Sequence, residues 1–515
     1  MNKEAKIEWL IFISSVAFYL GFSVFMVAEY GSTYILGWGR YWHDQLPHVY
    51  ISRTVIDNGP LSKLANVGTV WLPLYHLILI PFILPDPFYV NGLGAAILNS
   101  FLTASTSVLI YRIAKGGKLG LIASFIFTIN MYSLIHSSSS YMVPIGMYLS
   151  VASVYYSIES LRKNSAREMA KAMVLLMLAE LSRYESWIVG LAIVLAVWFG
   201  LKKSRAVKLI FTFMASWGVV LWLLYNRVIF GSFIQFIIHP SPGAAGYYYL
   251  IIEKLANPIE ADWFSILKVS YLLMGPVIAL VFLSLFHFFF QIYKKRKVGA
   301  IEYLVMLLPL VFLLVESPKL LISDHPLYFY FVLPFAIGAG FRAINHSTKA
   351  ITILILVLVG GQCLYEFQRY GGLPGEIAKD YKIDTYARER LRPIYGVWKN
   401  KGGYILSSTT LYLPSYAMSV LLGISPAYIF DEYDEPVYRE INKAPWEYGV
   451  TVVLMPTYDT YLMQKRYMVG LVGEEMYPIL FYENEAWRNE FLSHYRFETE
   501  IGYRRMVVLV YVSKE

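Results

Sequence analysis

Apolar residues run in long stretches separated by short polar breaks. They cover roughly 9–29, 88–113, 119–135, 141–159, 168–183, 184–201, 207–229, 265–292, 299–315, 326–342 and 349–365. A helix needs about 17–25 such residues to cross the hydrocarbon core of a bilayer. The pattern predicts about eleven transmembrane helices, with the two chain ends on opposite sides. A shorter apolar run, Thr69 to Leu84, is below spanning length, and counting it as a crossing would invert every later loop. It is assigned to a helix lying on the outer face, within one large first loop over 30–87.

Basic residues decide which side is which. Lys115 with Lys118, Arg162 with Lys163, Lys202 with Lys203 and Arg205, and the run Lys294-Lys295-Arg296-Lys297 fall in alternate loops, which are therefore cytoplasmic. Lys3 and Lys6 precede an apolar run from Trp9 to Ala28 that is long for a signal-peptide core and lacks a small-residue cleavage site, so it reads as a retained first helix. The expected localisation is the cell membrane, multi-pass, with the N-terminus cytoplasmic and the C-terminus extracytoplasmic.

Composition agrees. Hydrophobic residues make up 57% of the chain and charged ones 16%, well under the usual quarter. The formal net charge of +8 lies in the topology-setting loops, so no nucleic-acid partner is expected. One cysteine, Cys363, excludes an intrachain disulfide and a cysteine-based metal site. Aromatic residues reach 17%, with 43 tyrosines, more than interfacial belts alone require.

After Tyr365 the pattern changes: 20 of the 36 acidic residues fall between Glu366 and Glu515, and no spanning run remains. Short β-branched or apolar runs at 404–406, 427–430, 450–454 and 506–512 alternate with helix-like stretches and predict a small soluble α/β domain. The expected fold is thus a polytopic α-helical membrane protein with a C-terminal α/β extracytoplasmic domain. Its parts are seven helices over 1–229, an external loop at 230–264, four more helices over 265–365, and the soluble domain at 366–515.

Polar and aromatic groups are dense in the first loop: Trp42-His43-Asp44-Gln45-Leu46-Pro47-His48, then Arg53, then Trp71-Leu72-Pro73-Leu74-Tyr75-His76. Pro47 suits the first turn of a helix and Asn58-Gly59 its end, which predicts a short amphipathic helix over 45–57. Asp44 would serve as its N-cap in an ordinary protein. Its place between His43 and His48, in a loop folded over the membrane face, favours a functional carboxylate instead.

A second cluster, Glu180-Leu181-Ser182-Arg183-Tyr184-Glu185, sets three charges at a junction of apolar helices, where charge is costly. Either Glu180 and Arg183 neutralise each other at i,i+3, or Arg183 faces a phosphate at the outer leaflet. Lys319, Asp324 and His325 lie in another external loop, and His325 could meet a phosphate or a sugar hydroxyl. The acidic turn Asp431-Glu432-Tyr433-Asp434-Glu435 lacks the glycine and ligand spacing of a calcium loop and is assigned no role. Phosphate-loop, zinc-helix and GxSxG motifs are absent from the sequence.

The order of these features resembles the GT-C glycosyltransferase superfamily, which includes protein O-mannosyltransferases and aminoarabinose transferases. Asp44 matches the acidic residue near the start of that family's first external loop, and Trp71-Leu72-Pro73-Leu74-Tyr75-His76 resembles the opening of its second surface helix. The resemblance covers most of residues 1–365. It implies a sugar on a polyprenyl (dolichyl-type) phosphate as donor, inversion at the anomeric carbon, and Asp44 as general base toward an acceptor hydroxyl on a glycan, lipid or protein. Arg183, His325 and Lys319 would meet the donor phosphate, with His43, His48, Arg53, His76 and Glu185 as further substrate-binding candidates. Many members carry two acidic residues in this loop; here the pair is His43-Asp44, which leaves a divalent cation open and no cofactor certain. The competing class is a transporter or flippase for lipid-linked sugars, which would show related halves with interrupted helices; no such symmetry relates 1–201 to 202–365.

Overall fold

The computed structural model describes residues 2–30, 45–57, 67, 71–234, 236, 277–320, 326–344, 353, 357, 360–361, 389, 391–407, 414–431, 437–459, 461–462, 476–503 and 506–514. Asp44, His43, Asp324, His325 and the acidic residues at 432–435 lie outside the described residues. So do residues 265–276 of the run expected at 265–292, most of the run expected at 349–365 and nearly all of the external loop at 230–264.

The chain forms two compact units. One gathers Met1–Ala28, Ala95–Tyr225 and Lys254–Glu376; the other gathers Glu29–Gly94, Asn226–Glu253 and Ile377–Glu515.

The first unit is helical. Among the described residues, Lys3–Glu29 and Leu93–Ile113 are each long and apolar enough to cross a membrane. Two further pairs pass the same test only together: Gly117–Ile129 with Met131–Ser137, bent by 61°, and Arg205–Met214 with Trp217–Ile229, bent by 45°. The first bend has a local cause. Asn130 is extended, and its side-chain oxygen accepts from the Tyr132 amide at 3.0 Å, capping a new helix where a straight span was expected. Helix Val143–Lys163 packs along Ala166–Glu180, and Glu185–Gly200 packs along Lys297–Leu320. Backbones approach closely at small residues: a side chain on Gly200 would stand 2.6 Å from Leu161 and 3.1 Å from Ile301. Polar groups inside the bundle pair with one another, as in Ser150 with Ser186 at 3.0 Å and Thr103 with Tyr330 at 3.1 Å. Glu302, buried, accepts from Arg162 at 2.8 Å and also pairs with buried Arg342.

The second unit is built on a five-stranded sheet in the order β2-β1-β3-β5-β4. The strands are β1 (Tyr404–Leu406), β2 (Ile429–Phe430), β3 (Val450–Pro456), β4 (Tyr495–Tyr503) and β5 (Met506–Ser513). β1 runs parallel to β2 and β3, while β5 is antiparallel to β3 and β4. β3 is buried along nearly its whole length, which is why it reads as a continuous apolar run, not an alternating one. The core joins Leu406, Val453, Met455, Tyr477, Phe491 and Tyr511. Part of the tyrosine excess is spent here. The hydroxyls of Tyr477, Tyr495 and Tyr438 donate to the carbonyls of Leu454 (2.6 Å), Val450 (2.8 Å) and Ser407 (2.9 Å), so each large ring is buried with its polar end satisfied.

Three first-loop helices belong to this same unit: Gln45–Thr54, Leu74–Ile83 and Asp86–Val90. The first packs on the second and on helix Pro414–Leu422 of the C-terminal domain.

Candidate functional site

Helix Gln45–Thr54 begins at the residue after Asp44. It is held by a set of buried polar contacts. His48 and His76, both buried, meet through Nδ1 and Nε2 at 2.9 Å, and His76 Nδ1 lies 2.6 Å from the Val67 carbonyl oxygen. That oxygen can only accept, so His76 donates from Nδ1, its Nε2 accepts, and His48 donates from Nδ1. Burial pulls the His76 imidazole down to about 4, opposed by its bond to Val67. Trp71 and Tyr75 close on His48 edge to face, with ring centroids at 5.1 and 5.6 Å. The aromatic density of the loop thus wraps a histidine pair.

Arg53 is taken up by the loop itself. Nε donates to Asp57 at 3.0 Å, Nη2 to Asp86 at 2.7 Å, and Nη1 to the carbonyls of Ile83 and Leu84 at 3.1 and 3.3 Å. It thereby satisfies the C-terminal end of helix Leu74–Ile83, where carbonyls lack helical partners. Its guanidinium also lies over the Tyr89 ring, 5.0 Å from the centroid. Although burial works against its charge, the bonds to Asp57 and Asp86 hold its pKa above the ordinary value.

Among the described residues three side-chain hydrogen bonds tie these helices to the C-terminal domain. Tyr50 donates to Asp431 at 2.7 Å, Ser425 donates to the second oxygen of Asp57 at 2.6 Å, and Tyr89 pairs with Ser419 at 2.6 Å. Asp431 is fully buried. The first residue of an acidic turn that carried no role in the sequence is thus an internal anchor. Its partner lies 381 positions away, and no local pattern could have named it.

In the first unit, Arg183 lies at the junction between helices Ala166–Glu180 and Glu185–Gly200. Its partner is Glu185, two positions on, and not Glu180. Nε donates to Glu185 Oε2 at 3.0 Å and Nη2 to Oε1, a bidentate fork with both side chains largely buried. Glu185 opens its helix, where a carboxylate is favoured by the helix dipole. Glu180 instead accepts from the Gly218 amide at 3.1 Å. Gly146 leaves room for the arginine stem: a Cβ there would stand 2.3 Å from Arg183 Cγ. Lys319 lies within helix Lys297–Leu320.

Among the described residues no group of three or more His, Cys, Asp or Glu side chains is disposed to hold a metal ion. The divalent cation left open by the sequence rests on Asp44, which is outside that set.

No protein-family model matches the sequence, and no curated protein does. Among solved structures the chain is similar to the apo oligosaccharyltransferase of Archaeoglobus fulgidus, with 10% identity, covering 91% of this chain and 72% of that one, at a TM-score of 0.48. A likeness of that size transfers neither fold nor activity.

Proposed function

We propose that this chain is an integral membrane glycosyltransferase of the GT-C type. It moves a sugar from a polyprenyl phosphate to an acceptor hydroxyl outside the cytoplasm, with inversion. Asp44 is the general base: as the acceptor oxygen attacks the anomeric carbon, its proton passes to the carboxylate and the C–O bond to phosphate breaks. The phosphate leaves without protonation, so one carboxylate suffices where a glycosidase needs two. Charge developing on that phosphate calls for a cation, and Arg183 is the first candidate, followed by His325 and Lys319. Glu185 acts by positioning, since its fork with Arg183 fixes the guanidinium before any ligand arrives. His48, His76 and Arg53 serve by building the loop.

The observation that supports this reading best is the anchoring of the Asp44 loop. The helix that starts beside Asp44 is fastened to the C-terminal α/β domain by Tyr50–Asp431 and reinforced by Asp57–Ser425 and Tyr89–Ser419. The described helix that follows Asp44 in the sequence is thereby held on a fixed support, which a segment carrying a positioned base requires.

Purified protein in lipid, incubated with a panel of polyprenyl-phosphate sugars and candidate acceptors, should release polyprenyl phosphate. Asp44→Asn should abolish release while leaving the protein folded and lipid-bound. Near-normal transfer by that variant would overturn the assignment of the base.

A further inference from the structure

Two of the basic clusters that set topology lie about ninety residues apart in the sequence, yet the first unit folds them onto one concavity. A pocket of about 600 Å³ is lined by Lys202, Lys203, Lys208, Arg296 and Lys297, with no acidic residue among the described residues of its wall. Among the described residues none of the five has a carboxylate within salt-bridge distance; Lys208 donates to the Trp198 carbonyl at 3.0 Å. The neighbouring acids on this side, Glu159 and Glu302, are already engaged by Lys163, Arg162 and Arg342. Helix Lys297–Leu320 starts at the pocket with a lysine, and Arg205–Met214 starts beside it with an arginine, so two helix dipoles add to the like charge. Five cations around one space, with no described carboxylate paired to them, call for an anion.

The pocket is also a built one. Trp198 Nε1 donates to Thr212 at 2.9 Å, joining helices Glu185–Gly200 and Arg205–Met214 along its wall. What surrounds it is apolar and open: Phe199 is 58% exposed, and Leu209, Ile210 and Phe213 stand exposed on the helix that carries Lys208. That helix has basic and apolar faces side by side, the arrangement of a segment lying in a membrane interface.

We propose that this pocket binds the headgroup of an anionic phospholipid of the cytoplasmic leaflet, its phosphate among the five cations and its acyl chains along Phe199, Leu209 and Phe213. Basic pockets between membrane helices on the cytoplasmic side are suited to such headgroups. The site is separate from the proposed donor chemistry and survives if that chemistry is wrong.

Native mass spectrometry of the purified full chain, titrated with phosphatidylglycerol or phosphatidylcholine, tests this. The wild type should retain phosphatidylglycerol in strong preference. Lys202→Gln/Lys203→Gln and Arg296→Gln/Lys297→Gln should each weaken retention on the order of 30-fold, following roughly fivefold per basic residue at an anionic surface. Lys294→Gln/Lys295→Gln, which removes equal charge from the same loop outside the pocket, should change it little. Equal loss in all three variants would reduce the effect to surface charge and overturn the site, as would absence of preference in the wild type. Displacement by glycerol phosphate as effective as by the lipid would assign the pocket to a soluble anion and overturn the lipid. A second measurement needs no variant: phosphatidylglycerol with a photoreactive acyl chain should label helices Glu185–Gly200 and Arg205–Met214, and labelling confined to other helices would overturn the proposal.

Discussion

The His48–His76 pair makes acid an informative perturbation. His76 is fully buried, and its imidazole titrates at about 4 against about 6.5 when unfolded. Above pH 6.5 both states are neutral and the pair is intact. As pH falls from 6.5 toward 4 the unfolded state takes up a proton that the folded state refuses, so stability drops by up to about 1.4 kcal/mol per pH unit, about 3.4 kcal/mol in all. Below about 4 this group contributes no further loss. Protonating folded His76 would also set its Nε2–H against the Nδ1–H of His48, so the cost includes a lost hydrogen bond as well as desolvation. Hydrogen exchange of peptides covering helices Gln45–Thr54 and Leu74–Ile83 reads the effect directly, with rates corrected for intrinsic pH dependence. Protection in the wild type should fall across that window. His76→Asn keeps an amide donor for the Val67 carbonyl and does not titrate, so it should start less protected and show a shallower acid dependence. Carboxylates elsewhere contribute equally to both proteins and cancel in the comparison. Equal slopes in the two, or a His76 resonance titrating near 6.5, would refute the reasoning.

Other outcomes follow from single contacts. Tyr50→Phe removes a donor to buried Asp431 and should cost about 1–3 kcal/mol in chemical unfolding of the C-terminal domain; a loss under about 0.5 kcal/mol would mean the anchor is idle. Arg53→Lys cannot reproduce the fork to Asp57, Asp86 and the helix-end carbonyls, and should lower stability by about 1–3 kcal/mol in the same measurement. Gly146→Ala sets about 1 kcal/mol of helix propensity against overpacking of about 1–3 kcal/mol. The clash should win, because Arg183 Cγ at 2.3 Å cannot retreat without disturbing the fork to Glu185; a more stable variant would count against that packing. Arg183→Ala should weaken donor use in the transfer assay, and unchanged donor affinity and turnover would remove it from the phosphate.

How far the sequence could be read depended on whether a signal was local. Strands β1, β2, β3 and β5 stood out as β-branched or apolar runs, and the helix after Asp44 was announced by Pro47 and its polar-apolar spacing. β4 carries a different signal: Tyr495, Phe497, Thr499, Ile501 and Tyr503 alternate with Arg496, Glu498 and Glu500, the period-two pattern of an edge strand and not an apolar run. Asn130, likewise, is a good N-cap residue inside an apolar run, and it breaks the span expected over 119–135. The Glu180, Arg183 and Glu185 cluster was visible as charge, but its pairing is set by the junction between two helices, which spacing alone does not determine. Contacts such as Tyr89 with Ser419 or Tyr50 with Asp431 have no signature in either segment; they exist only once the unit is assembled.

That assembly constrains how the protein is made. Tyr50 must wait for Asp431, 381 residues later, which at a synthesis rate of about 5–20 residues per second is roughly twenty seconds to over a minute. Throughout that interval the first-loop helices lack the surface they will rest on, and their histidine pair and Asp57 are still reachable by water. Maturation of the segment beside Asp44 is thus tied to the arrival of the last third of the polypeptide. A nascent chain that stalls before residue 414 would insert its early helices and yet lack the anchored loop.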